Sequence, residues 1–171
     1  MISKKTIIIW VSTLFFKLTR KFEKLDNAAY MNYIKHNYQI HKSVHFWKDT
    51  YIYGAGKIFI DEGTYLGRNT FITSFPSEAI IKIGKRCMIS HNVHIRTSAY
   101  DEKTLSMENR GHKFDNIEIG DFVWIGVNVY IKGGVKIGNN VIIGANSLVT
   151  KSFPDNVVIG GSPAKILREI K

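Results

Sequence analysis

From residue 117 onward, aliphatic positions recur every six residues. Ile119, Ile125, Ile131, Ile137 and Ile143 form one row, which Val149 continues, and Val123, Val129, Val135 and Val141 form a second row on another register. Gly120, Gly126, Gly138 and Gly144 each directly follow one of those isoleucines. A helix repeats about every 3.6 residues and an alternating strand every two, so the pattern is neither. Six residues make one short flat strand and one tight turn. Three such units close a triangular coil whose inward aliphatic side chains stack into ladders. Glycine then serves the corners, where the backbone takes unusual angles.

Weaker copies of the pattern come earlier. Ile83, Ile89 and Ile95 are again six apart, and Ile58–Ile60, Tyr65–Gly67 and Phe71–Ile72 read as a degraded coil. The coil is therefore expected over residues 51–153. The period breaks across the polar stretch 96–116, which reads as a loop. An insertion of that length in a regular solenoid usually forms the working face. Residues 154–171 read as a tail that leaves the coil and ends in a short basic helix.

The first 50 residues lack the period. Residues 6–16 (TIIIWVSTLFF) follow a basic start but are too short to span a bilayer, which needs about 20 residues, and no small-residue cleavage site follows them. Phe15, Leu18, Phe22 and Leu25 recur at helical spacing among basic residues, so residues 4–25 read as an amphipathic basic helix. Packing against protein is the favoured use of its apolar face, and peripheral contact with an anionic membrane is the alternative. His36, His41 and His45 read as surface or packing histidines.

Composition narrows the classes. At 171 residues, with 44% hydrophobic and 22% charged, the chain is one domain or one domain with an appendage, and bulk disorder is excluded. Cys87 is the single cysteine, which excludes an intrachain disulfide and a cysteine-based zinc site. Its place in the coil pattern reads as small packing, not as a nucleophile. The net charge of +10 favours anionic partners. No nucleic-acid motif is present and a coil of flat strands offers no groove-reading element, so nucleic acid is not expected.

The blocks IEIGDFVWIG (117–126) and KGGVKIGNNVIIGANSLVTKSFPDNVVIGGSPAKILREI (132–170), with the stretch between the coils, resemble the hexapeptide-repeat acyltransferases. Within them the similarity is to the galactoside and maltose O-acetyltransferases and the capsule or exopolysaccharide O-acetyltransferases. The resemblance implies an all-β, left-handed parallel β-helix assembled as a homotrimer, acting in the cytoplasm or at its membrane periphery. It implies acetyl-CoA as acyl donor, in a groove between adjacent coils, and direct transfer to a sugar or glycan hydroxyl without a metal. In that family a loop histidine takes the hydroxyl proton, a role that suits imidazole because it titrates near neutrality.

Where relatives read Thr-x-x-His followed by Asp or Pro, this chain reads Thr97-Ser98-Ala99-Tyr100-Asp101. The histidine position is thus Tyr100, and a phenol with a reference pKa of about 10 is a poor base at neutral pH. His94, six residues earlier, and His112, at the far end of the loop, are the histidines that remain as bases, with Asp101 beside Tyr100; His91 sits on a turn. On the donor side the resemblance implies Gly126, Val127, Gly144, Ala145, Thr150 and Lys151, with Lys165 and Arg168 in the tail. On the acceptor side Trp124, between two inward positions, is expected to point outward near the loop, where its ring can stack on a sugar or anchor a trimer interface, and Arg96 is the second substrate-binding candidate. Two alternatives follow from Tyr100: a catalytically impaired trimeric relative that binds CoA without turnover, and an N-acetyltransferase acting on an amino sugar.

Overall fold

A computed structural model describes residues 29–34, 36–105 and 110–171. The amphipathic stretch expected at residues 4–25 lies outside the described residues. Residues 29–34 are helical, and the segment up to Asn37 is a unit distinct from Tyr38–Lys171. Among the described residues no helix is long and apolar enough to cross a membrane.

Tyr38–Lys171 is a triangular β-helix. The first coil is β1 (Gln39–Ile40), β2 (His45–Phe46) and β3 (Tyr51–Tyr53); the second is β4 (Lys57–Ile60), β5 (Tyr65–Leu66) and β6 (Phe71–Thr73). The third is β7 (Ile80–Ile83), β8 (Met88–Ile89) and β9 (His94–Arg96). A two-stranded arm, β10 (Ser98–Leu105) and β11 (Arg110–Phe114), then interrupts the winding. It resumes with β12 (Ile117–Ile119), β13 (Trp124–Ile125) and β14 (Tyr130–Lys132), then β15 (Lys136–Ile137), β16 (Ile142–Ile143) and β17 (Leu148–Val149). The chain ends in β18 (Val157–Gly161) and β19 (Ala164–Glu169).

Stacked coils give three parallel faces. Face A is β1-β4-β7-β12-β15, face B runs from β2 through β5, β8, β13 and β16 to β18 and β19, and face C is β3-β6-β9-β14-β17. The six-residue rows are the inward ladders. Leu66, Ile89, Ile125 and Ile143 stack behind face B and Ile52, Ile72, Ile95, Ile131 and Val149 behind face C, each at 0 to 1% exposure. Burial of these branched side chains drives the winding, at about 25 cal/mol per Å² of apolar surface removed from water.

The first coils use threonine where later coils use valine. Thr64 donates its hydroxyl to the Gly84 carbonyl at 2.8 Å, and Thr50 and Thr70 donate to Gly67 and Ser90, both at 3.2 Å. Each buried hydroxyl is thereby satisfied by the next coil, which removes the cost of burying it. The β-helix consequently begins at Gln39, not at residue 51. Cys87 occupies the same inward row as Thr64 and Val123; it is fully buried, and desolvation pushes its thiol up to about 11.

Two further expectations are corrected. Residues 96–116 are not an irregular loop, since most of them form the antiparallel arm. The tail is not a helix: β18 pairs parallel with β16, and β19 folds back antiparallel on β18. The open edge of face B leaves unpaired N–H and C=O groups, and a hairpin satisfies them where a helix would not.

Candidate functional site

The arm leaves at the corner between faces C and A, and its base is fixed by polar contacts. Thr97, 1% exposed, donates its hydroxyl to the Phe75 carbonyl and accepts the Phe75 N–H, both at 2.9 Å. Asp115 N–H closes the base on the Thr97 carbonyl at 3.1 Å. Lys113 and Asp115 are ion-paired at 3.2 Å beside it.

Across the arm, Ser98 stands opposite Phe114, Ala99 opposite Lys113, and Tyr100 opposite His112. Paired residues share one face of a two-stranded ribbon, and positions two apart along a strand do too. Ser98, His112 and Phe114 therefore share one face of the arm, and Tyr100 is the register partner of His112. His112 is exposed and stacks on Phe114 with ring centroids 5.8 Å apart. Two residues that the sequence separates by twelve positions are thus cross-strand partners. Asp101 follows Tyr100 on β10.

His94 is elsewhere. It lies on the outer side of face C in a ladder of rings, with Phe71 at 4.9 Å and Tyr130 at 6.5 Å, both stacked. Tyr51 extends the ladder beyond Phe71 at 4.9 Å. Stacking of this kind stabilises each parallel step. His91 is a corner residue whose Nδ1 accepts the Arg68 N–H at 2.9 Å.

The donor-side candidates divide between corners. Gly126, Val127, Gly144 and Ala145 are at the corner between faces B and C, whereas Thr150 and Lys151 follow β17 at the corner from which, two coils earlier, the arm departs. The two corners bound face C, so these residues flank that face from its opposite edges. Lys165 and Arg168 lie on β19 at the end of face B. The glycines differ in kind. A Cβ at Gly126 would meet the Ala145 backbone nitrogen at 2.7 Å, so coil stacking itself requires glycine there. At Gly144 the nearest atom would be the Ile159 carbonyl oxygen at 3.5 Å, ordinary contact, so stacking does not demand glycine there.

Trp124 is 51% exposed on face B, the face opposite the arm's corner. The expectation that it points outward holds, but the expectation that it lies near the arm fails within one chain, because β13 and the arm root belong to different sides of the triangle. Arg96 lies at the arm root on face C, and its Nε donates to the Ser98 hydroxyl at 2.9 Å. Lys132 is its direct cross-strand neighbour on β14. Sequence reading passed over Lys132, although the signal was present: Arg96 and Lys132 each directly follow an inward isoleucine, Ile95 and Ile131, of the same ladder. A groove of about 650 Å³ on face A, lined by Phe59, Lys82, Glu118 and Asp121 among others, contains none of these candidates.

Residues 116–151 match the family model described as bacterial transferase hexapeptide (six repeats). The chain is 37% identical over 109 residues to a galactoside O-acetyltransferase of Escherichia coli K12, covering 62% of this chain and 54% of that protein. It spans about half the length of the curated relatives it matches first. Among solved structures it is similar to a galactoside acetyltransferase in complex with coenzyme A, at 29% identity and a TM-score of 0.58, over 81% of this chain and 68% of that one. The polysialic acid O-acetyltransferase OatWY is 34% identical with a TM-score of 0.58, over 77% of this chain and 66% of that one. The six-residue ladders, the three parallel faces and the repeat match agree: residues 116–151 carry the bacterial transferase hexapeptide repeat, wound as the left-handed β-helix of the similar acetyltransferase structures.

Proposed function

We propose that this protein is an acetyl-CoA-dependent O-acetyltransferase acting on a sugar or glycan hydroxyl, with His112 as the general base. The observation that carries this reading is the arm, which sets His112 directly across from Tyr100, the position where the resembling enzymes carry their histidine. A base need only occupy the right point in space, and cross-strand neighbours have Cβ atoms about 5 Å apart. The hydroxyl oxygen attacks the thioester carbonyl carbon. The C–O bond forms, the C–S bond breaks, and the proton taken by His112 passes to the departing sulfur. Transfer is direct, and orientation of donor and acceptor supplies much of the rate.

Donor binding falls to the edges of face C and the end of face B: the backbone at Gly144, flanked by Gly126, Val127 and Ala145, the cations Lys151, Lys165 and Arg168 for the phosphates, and Thr150 beside Lys151. The chain acts as a homotrimer. An apolar row on face B supports this, with Tyr65, Met88, Trp124 and Ile142 in register, Tyr65 and Ile142 half-buried and Met88 58% exposed. In such a trimer Trp124 serves a neighbouring copy's acceptor site. The reaction belongs where acetyl-CoA is, in the cytoplasm, with residues 4–25 as the candidate contact to an anionic membrane surface.

The test is thiol release from acetyl-CoA with a sugar panel, comparing the natural chain with Tyr100→His and His112→Ala. Turnover by the natural chain that His112→Ala abolishes supports the reading. Turnover only by Tyr100→His makes the natural chain an impaired relative, and no affinity for CoA in any variant overturns the function altogether.

A further inference from the structure

Some surface charges of this β-helix pair across adjacent coils. On face A, Glu118 and Lys136 are in register and ion-paired at 3.1 Å. Lys85–Glu62 and Arg68–Asp49 pair around the corners at 3.5 and 3.9 Å. Face C instead sets two cations side by side. Arg96 and Lys132 are directly in register on adjacent strands, where side chains stand about 5 Å apart. Like charges placed opposite each other are destabilising. Among the described residues no carboxylate lies within ion-pair distance of either. Arg96 is moreover oriented, since its Nε is held by the Ser98 hydroxyl at the arm root. Thr73, in register with Arg96 on β6, is the third residue of the row and is buried. Beside the pair on the same face runs the ring ladder Phe71, His94 and Tyr130.

We propose that Arg96 and Lys132 form a carboxylate-binding site, so that the acceptor is an acidic sugar whose carboxylate docks at the root of the arm. This rests on the acetyl-transfer reading for its location. A planar guanidinium fixed through Nε presents its remaining N–H groups to a carboxylate in a fork, and an adjacent ammonium adds the second charge. An anion between the two cations relieves the repulsion that the unliganded face carries. The other anion at hand is a CoA phosphate. The cations assigned to it, Lys151, Lys165 and Arg168, lie one coil or more further toward the C-terminus, which leaves the Arg96–Lys132 pair to the acceptor end.

The experiment uses the full chain and two probes, an oligomer of sialic acid and an oligomer of a hexuronic acid, each beside its carboxyl-reduced counterpart. Binding is titrated directly, and thiol release from acetyl-CoA is followed separately. At least one acidic oligomer is expected to bind tenfold or more tightly than its reduced form. Arg96→Gln and Lys132→Gln should each remove most of that preference and leave acetyl-CoA affinity within twofold, with melting temperature unchanged or raised because the repulsion is gone. Equal binding of the acidic and reduced forms of both oligomers overturns the proposal. So does a loss of acetyl-CoA affinity in the variants, which assigns the pair to a CoA phosphate. Carboxylate-dependent binding without thiol release keeps the site and refutes acetyl transfer. Thiol release indifferent to the carboxylate keeps acetyl transfer and refutes the site.

Discussion

The wound coils and the arm obey different logics within one chain. In the coils a residue's place in the six-residue repeat determines its job, and the same job recurs in every turn: Leu66, Ile89, Ile125 and Ile143 are interchangeable rungs of one ladder. In the arm nothing recurs. Its two strands run antiparallel, project from one corner, and bring together Tyr100 and His112 only because β10 is paired with β11. A periodic scaffold spreads its stability over many equivalent contacts, whereas an interruption concentrates function in a few residues that have no equivalents. Replacing a rung should therefore cost stability and little chemistry, and replacing an arm residue the reverse.

The sharpest break of that comparison is His112→Ala. Losing a general base lowers kcat by roughly a hundred- to ten-thousandfold, while an exposed arm residue should leave the melting temperature within a degree or two. His94→Ala provides the control. Because His94 is a rung of the ring ladder between Phe71 and Tyr130, its loss should lower stability by about 0.5–1 kcal/mol and spare most of kcat. If His94→Ala abolishes turnover and His112→Ala does not, the base is on face C and the arm assignment is wrong.

Next in size is Ile131→Ala, in the middle of the ladder behind face C and fully buried. Truncation of a buried isoleucine costs about 2–5 kcal/mol, read from the shift of a denaturant midpoint. A cost below about 1 kcal/mol would mean that the coils collapse around the gap and that the ladder is not the source of rigidity.

Cys87 tests the same core through pH. Its thiol is raised from 9.0 to about 11 by burial, so the folded state holds the proton more tightly than the unfolded chain. The contribution is fully present below pH 9 and lost as pH rises toward 11. Stability should fall across that window by at most about 3 kcal/mol from this group. Cys87→Ala should flatten that part of the curve, and equal alkaline slopes in the two proteins would show that the thiol is not desolvated in solution.

Regular parts were legible because ladders demand the same residue type at the same interval. Ile119 through Val149 announce themselves, and the register of Ile83, Ile89 and Ile95 follows. Legibility failed wherever a different solution to the same physical problem was used. The first coil escaped notice because Thr50, with Thr64 and Thr70 in the next coil, stands where valine would; a threonine reads as polar until its hydroxyl is seen bonded to a carbonyl of the next coil. The arm read as loop because its alternation is polar on both sides and no tight-turn signature marks its tip. The tail read as helix because AKILREIK has helical spacing, but the open edge of β18 selects a strand. At the site, the residue types were legible and their neighbours were not. That Tyr100 is in register with His112 and Arg96 with Lys132, and that Trp124 belongs to the opposite face, all depend on how three-dimensional winding and pairing bring distant positions together.

The smallest effect separates backbone from side chain at a corner. Asn128 has a left-handed φ of 58°, which costs most L-residues roughly 1 kcal/mol or more. Its side chain also links the corner ladder, receiving the Asn92 amide at 3.1 Å and donating to Asn146 at 2.9 Å. Asn128→Ala loses both contributions and should cost about 1–2 kcal/mol. Asn128→Gly restores the backbone freedom but not the exposed amide bonds, which contribute about 0.5 kcal/mol each at most. Glycine should therefore recover half or more of the alanine loss. If glycine is as destabilising as alanine, the amide ladder and not the turn conformation holds the corner, and the stacked asparagines at 92, 128 and 146 act as an outer counterpart of the isoleucine rungs within.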